Sequence, residues 1–168
     1  MLGATASAQI DAPPERVFEL VTDVTRMGEW SPITYKCEWL DDAAGPSIGA
    51  KFKGYNKMPP ARWWTECEVT AYEPGRLFEF RTVDVSAPFS VGVKAPREMT
   101  RWRFEFAPED GGTRVTESYS VVFVPPLLSV PEKIARAIGA GRSVDKRRAK
   151  TNRGMEETLR RLKDAAER

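Results

Sequence analysis

The chain contains no histidine. Its absence removes the commonest general base, the usual imidazole metal ligand and any Ser–His or Cys–His nucleophile pair. Cysteine is nearly absent as well. Cys37 and Cys67 are too few for a disulfide framework, and each falls in a strand-like stretch where a small buried hydrophobe serves, so both are expected to be reduced core residues. No Walker-type phosphate loop and no GxGxxG occurs; Gly111-Gly112 sits in an Asp-Gly-Gly turn rather than at a strand-to-helix junction, which argues against nucleotide binding. Charge of one sign is also lacking: 26 Lys+Arg against 24 Asp+Glu leave +2, so nothing draws the molecule as a whole to nucleic acid or an anionic membrane. No apolar run approaches the ~20 residues of a membrane span, and Met1–Ala8 lacks the basic and apolar regions of a signal peptide. The expectation is a cytoplasmic protein with no integral membrane segment, no cofactor and no metal.

What is present is strand pattern and aromatic residues. The 168 residues suit one domain, 1–168. Ala4–Ile10 alternates weakly and ends at Asp11-Ala12-Pro13-Pro14, where Asp11 can cap a helix and the prolines suit its first turn. Val17, Phe18, Leu20 and Val21 then have helical spacing, and a second short helix is expected over Val24–Glu29, with Trp30 on the connection that follows. Six strands come next in meander order: Tyr35–Leu40, Ala50–Tyr55, Arg62–Tyr72, Leu77–Thr82, Met99–Phe106 and Arg114–Val124. A helical pattern over Ser143–Ala166, with Val144, Met155, Leu159, Leu162 and Ala166 as its apolar stripe, would extend about 36 Å, enough to cover a sheet. Hairpin-length connections imply an antiparallel sheet, and its apolar face needs that cover.

One residue breaks the pattern. In the last strand Val115, Glu117, Tyr119, Val121 and Phe123 share the apolar face, so a carboxylate points inward. Burying it without partners costs several kcal/mol or raises its pKa, which implies a buried partner, an internal cavity or a ligand. A turn near Pro108–Gly112 with Phe106 opposite Thr113 would place Phe104 opposite Val115 and Trp102 opposite Glu117. The same alternation turns Phe52, Trp63, Cys67, Val69, Phe78, Phe80 and Tyr119 inward, where large aromatics can fill a core or line a cavity. Glu117 either pairs with an arginine, the Tyr119 hydroxyl or an indole N–H, or it serves a ligand.

Three further features have bland and functional readings. The cluster Arg142, Lys146, Arg147, Arg148, Lys150 and Arg153 has no aromatic interleaved and reads as a solvated face, not a nucleic-acid site. Gly154, inside the long helix, marks a kink or a close packing contact beside the cavity. The long loop Val83–Glu98, with Phe89 and Val91, is either a lid or a hairpin tip.

The entry IDAPPERVFELVTDVTRMGEWSP, the turn YEPGRLFEFRT, the hairpin WRFEFAPEDGGTRVTESYSV and the final helix NRGMEETLRRLKDAAE together resemble the SRPBCC or START-like superfamily, most closely its polyketide cyclase/dehydrase-like branch. The resemblance implies an α+β helix-grip fold: a seven-stranded antiparallel sheet curled around the long C-terminal helix, with two short helices after the first strand. The aromatic inward face and the isolated inward Glu117 lead to the expectation of a hydrophobic small molecule, lipid or polyketide-like, bound between sheet and helix, in a monomer or homodimer. The alternatives are a polyketide cyclase or dehydratase using Glu117 as acid/base, and a ligand-free partner-binding module. By position Trp30 resembles the aromatic near the cavity entrance, and Glu117 an acidic position common in the branch. The expected pocket comprises Trp30, Phe52, Trp63, Phe78, Phe80, Trp102, Phe104, Glu117, Tyr119 and Met155. Leu127–Gly141, with a short helix expected at Pro131–Ile138, is longer than the usual link into the last helix.

Overall fold

The computed structural model describes residues 2–86, 98–122 and 141–168, with side chains from Gly3 onward and, in the last segment, from Ala149. Most of the loop Val83–Glu98, the end of the Arg114–Val124 strand including Phe123, nearly all of Leu127–Gly141, and the side chains of Arg142, Val144, Lys146, Arg147 and Arg148 lie outside the described residues.

Strand β1 (Leu2–Ile10) leads into α1 (Pro14–Thr22), a 3-10 turn (Val24–Arg26) and α2 (Met27–Trp30). Then follow β2 (Thr34–Trp39), β3 (Lys51–Met58), β4 (Ala61–Glu73), β5 (Leu77–Val85), β6 (Thr100–Glu109), β7 (Gly112–Val121) and α3 (Gly141–Ala166). Val17, Phe18, Leu20 and Val21 are buried, as their spacing predicts. Asp11 does not cap α1: Pro13 occupies the N-cap without a side-chain bond, and the Asp11 backbone N–H donates to Glu167 Oε1 at 2.7 Å instead. The two prolines fix the backbone at the helix entry, so no capping oxygen is required to start it. The second helix runs one residue beyond the expected end. Trp30 is therefore its last residue, held where Ser31 N–H donates to Met27 O at 2.8 Å, and does not lie on the connection.

The seven strands form one antiparallel sheet in the order β1-β7-β6-β5-β4-β3-β2, curled about α3 in the helix-grip arrangement. Period-2 alternation puts one rung of inward residues, Ala6, Glu117, Phe104, Phe78 and Tyr72, across β1, β7, β6, β5 and β4. The adjacent rung carries Ala4, Tyr119, Trp102, Phe80 and Val69. Register shifts in β4 between Glu66 and Cys67 and between Val69 and Ala71 are bulges. The second brings Tyr72 to the inner face, where its ring lies 5.3 Å from that of Phe18.

Helix α3 buries Met155, Thr158, Leu159, Leu162 and Ala166 and packs along β1 and against α2. At its C-terminal end Lys163 Nζ donates to Gln9 O at 3.0 Å, so the two ends of the chain are fastened together. The helix runs on through Gly154, and a Cβ there would meet nothing within 4 Å among the described residues, so it is no close-packing position.

The β6–β7 turn corrects the expected register. Asp110 and Gly111 have φ of 48° and 79°, which makes a two-residue turn with Glu109 paired to Gly112. Pro108 therefore faces Thr113, Phe106 faces Val115, Phe104 faces Glu117 and Trp102 faces Tyr119. The offset is two residues, so every side chain keeps its expected face while its partner changes.

Gly112 sets how closely β1 approaches this turn. A Cβ there would lie 2.2 Å from the carbonyl oxygen of Ile10. Urea denaturation of Gly112→Ala is expected to show a loss of at least about 2 kcal/mol, the scale of backbone overpacking. Gly45→Ala, where nothing lies within 4 Å, should change stability by less than about 0.5 kcal/mol.

Candidate functional site

The inner face concentrates aromatic rings. Phe52 and Phe80 meet edge to face at 5.1 Å, Phe78 and Phe80 are 5.7 Å apart, and Trp102 lies 4.4 Å from Tyr119. Phe52, Phe78, Phe80, Phe104 and Met155 are buried, whereas Trp63, Trp102 and Tyr119 are half-buried. Trp30, placed by resemblance near the cavity entrance, is only 2% exposed and belongs to the core, its ring 6.0 Å from Phe104. Cys37 and Cys67 are buried free thiols, and burial pushes each up to about 12, so they are inert at neutral pH.

Among the described residues, two glutamates are buried on opposite faces of this sheet, with opposite provision. Glu79, on the outer face and 7% exposed, accepts from Thr70 Oγ1 at 2.8 Å, Arg101 Nη1 at 3.1 Å and Arg103 Nη1 at 3.3 Å. Glu117, on the inner face and 2% exposed, has an Oε2 that no described residue reaches with a hydrogen bond. It pairs with no described arginine, with neither the Tyr119 hydroxyl nor an indole N–H. Burial alone pushes its carboxyl up to about 8. A carboxyl in that state is neutral at pH 7 and can donate its proton.

Four other buried polar atoms lack a partner among the described residues. Gln9 Oε1 and Arg81 Nε belong to outward side chains whose other atoms are bonded, to Glu109 O and to Glu68 respectively. Trp30 Nε1 and Asn152 Oδ1 are on the helices facing the sheet. A cleft of about 430 Å³ opens at the start of β1, where Ala4 and Tyr119 meet Asn152 and the outward Thr5, Ser118 and Arg101. Of the expected pocket residues, Tyr119 lines this cleft.

Sequence reasoning missed an inward polar group at the β2–β4 end. Thr34 Oγ1 donates to Asn56 Oδ1 at 2.7 Å, Asn56 Nδ2 donates to Thr65 Oγ1 at 3.3 Å, and Thr100 Oγ1 donates to the buried Thr82 Oγ1 at 2.9 Å. The signal was available: Asn56 follows Phe52 and Gly54 at period 2, so it shares their face. Asn152 also had a signal: it lies three positions before Met155 and seven before Leu159, on the apolar stripe of α3.

The profile of the family described as polyketide cyclase / dehydrase and lipid transport matches residues 1–167. The chain belongs to this family. A polyketide-cyclase-like protein of Corynebacterium glutamicum, solved by NMR, is 33% identical over 96% of this chain and 89% of its own, with a TM-score of 0.59. A Thermus thermophilus protein of known structure is 16% identical, with a TM-score of 0.66 over 98% of this chain and 96% of its own. The protein Ara h 8.0201 shares the fold at 9% identity, with a TM-score of 0.61 over 98% of this chain and 96% of its own. No functionally curated protein matches the sequence. Membership places the chain in the SRPBCC superfamily, on a fold that binds hydrophobic ligands. Among the described residues of this family member, no helix is long and apolar enough to cross a membrane.

The Glu117 carboxyl makes a pH signature. In the unfolded chain it loses its proton near the ordinary value of 4.5, and in the fold it keeps it to about 8. The native state therefore binds the extra proton between those values, so stability falls as pH rises from about 4.5 to about 8 and levels off above. Glu117→Gln lacks this slope. Urea titrations should show the variant gaining on the wild type across that range, by an amount on the order of 4 kcal/mol at pH 8. Parallel pH profiles would show that the carboxyl ionises normally in the fold.

Proposed function

We propose that the protein binds a hydrophobic small molecule, lipid or polyketide-like, between the sheet and α3, and that Glu117 is the polar point of that site. One observation carries this reading: a carboxyl that is 2% exposed, paired across the strands with Ala6 and Phe104, has an oxygen with no partner among the described residues. Leaving such a group unmet costs about 1–3 kcal/mol, which a bound molecule with a polar group offsets. The family description, which names both polyketides and lipid transport, agrees with an apolar ligand. The aromatic rungs supply the apolar wall, and the pocket is proposed to include Phe52, Trp63, Phe80, Trp102, Tyr119 and Met155 as well.

A second reading, polyketide cyclisation or dehydration with Glu117 as acid/base, draws on the same carboxyl, which is protonated at neutral pH and so suited to act as a general acid. It requires turnover, and Glu117→Gln would abolish that turnover while leaving binding intact.

Native mass spectrometry of the protein purified from its own host is expected to show, beside the free chain, a mass increased by a small apolar molecule that is released on denaturation. Uptake of the neutral dye N-phenyl-1-naphthylamine, seen as a blue-shifted rise in emission, should accompany it. A protein that carries nothing and takes up no dye has a filled interior, and binding is then excluded.

A further inference from the structure

Exposed apolar side chains gather at one corner of the sheet. Five large hydrophobic residues are exposed among the described residues, and three of them, Ile33, Tyr35 and Met58, belong to the corner where β2 begins, β3 ends and β4 begins. The Lys57 N–H donates to Ile33 O at 3.0 Å, which sets the start of β2 beside the β3–β4 turn. That turn is Pro59-Pro60, closed by Met58 paired with Ala61, and Lys57, Met58, Pro59 and Pro60 are all exposed. The corner therefore presents an apolar tip to solvent.

The net charge of +2 hides an imbalance here. No acidic residue occurs from Ala43 to Thr65 or from Trp30 to Cys37, the two stretches that build the corner, whereas Lys36, Lys57 and Arg62 are exposed. Lys57 and Arg62 face each other across the hairpin, one residue behind the tip on each strand. Lys57 Nζ stands 5.5 Å from the centre of the Tyr35 ring and Lys36 Nζ 5.0 Å from that of Tyr55. Glu38, further along β2, is taken up by Lys36 at 2.8 Å and by the Tyr55 hydroxyl at 2.5 Å. Like charges directly opposite each other on paired strands cost stability, and an outside anion relieves that cost.

The order of the side chains indicates the kind of anion. The apolar tip leads, two cations stand one residue behind it, and the Tyr35 and Tyr55 rings follow, at about 3.3 Å per residue. The surface of a lipid bilayer has layers in the same order: the acyl boundary takes apolar groups, the phosphates take Lys and Arg, and aromatic rings rest at the level of the headgroups. A nucleic acid offers phosphates but no apolar layer for Met58 and the prolines.

We propose that this corner, led by Met58-Pro59-Pro60 and charged by Lys57 and Arg62, docks the protein on an anionic lipid bilayer. The contact is peripheral and reversible, since a two-residue turn with a few cations is far short of a spanning segment. It concerns a surface separate from Glu117 and holds whether or not the interior carries a ligand.

Sedimentation with vesicles tests the surface. Vesicles of phosphatidylserine and phosphatidylcholine in equal parts should carry the protein down at low salt, and vesicles of phosphatidylcholine alone should bind it about tenfold more weakly or worse. Added salt should release it. Lys57→Gln combined with Arg62→Gln should weaken binding on the order of tenfold, and Met58→Ser several-fold with the charge unchanged. Arg16→Gln combined with Arg153→Gln removes the same charge from exposed positions on α1 and α3 and should lose far less. A nitrobenzoxadiazole label on Met58→Cys should brighten and shift to the blue on the mixed vesicles, the two native thiols being buried. The same label on Gly45→Cys, in the loop at the far end of β3, should not respond. Equal losses in the two double variants overturn the docking surface, because binding then follows net charge alone. Failure to sediment with either kind of vesicle also overturns it and leaves the corner to an acidic protein.

Discussion

A strongly curved antiparallel sheet with one aromatic face has to cover that face along its whole width, and the rest of this molecule follows from how it does so. Helix α3 is fastened at one edge: it runs along β1, its Lys163 bonded to the Gln9 carbonyl, and Glu167, the residue just past its end, accepts from the Asp11 amide. Helix α1 covers the central strands from the same end, through Phe18 against Tyr72 and Phe106. Helix α2 bridges to α3 and puts Trp30 on Phe104. On this covered side of the sheet Glu117 Oε2, Trp30 Nε1 and Asn152 Oδ1 are without partners among the described residues.

The contrast between Glu79 and Glu117 shows that the fold can satisfy a buried carboxylate when its sequence supplies the means. Phe78 and Glu79 are consecutive, and so are Phe104 and Glu105; Arg103 sits one residue before Phe104 and faces outward to reach Glu79. On the inner face the corresponding cross-strand neighbours of Glu117 are Ala6 and Phe104, which offer no hydrogen bond. Charge is neutralised by pairing on one side and by protonation on the other. The outer carboxylate is met by two guanidinium groups, and the inner one is kept as an acid.

Much of the fold was legible because alternation and helical spacing are local. The faces of Phe52, Phe78, Phe80, Phe104 and Glu117, and the apolar stripe ending at Ala166, were readable without knowledge of any neighbour. The partner of Glu117 was not, because a period of two fixes the side of the sheet but leaves the register open by multiples of two. The choice between Trp102 and Phe104 rested on whether the chain turned at Asp110-Gly111 or more loosely, a matter of two φ angles. Nor was the isolation of the Glu117 oxygen legible. A sequence can state that a carboxyl faces inward, but whether it finds a partner depends on which distant residues the register sets beside it, here Ala6 and Phe104. The inward Asn56 group was legible in principle and was hidden by the glycine and lysines around it.

The union of the chain's two ends has a temporal side. β1 is the first strand to be synthesised, yet its partner in the sheet is β7; the Ser7–Thr116 hydroxyl pair, at 3.0 Å, joins residues 109 positions apart. Long-range pairing of this kind is slow to form, since the closure entropy of the intervening loop opposes it. During synthesis the meander from β2 to β6 can assemble as successive hairpins, while β1, with its alanines and Ile10, has neither strand nor helix to rest on. The inner face of the sheet therefore stays uncovered until α3 has been made, and the space proposed for a ligand is reachable from that side until then.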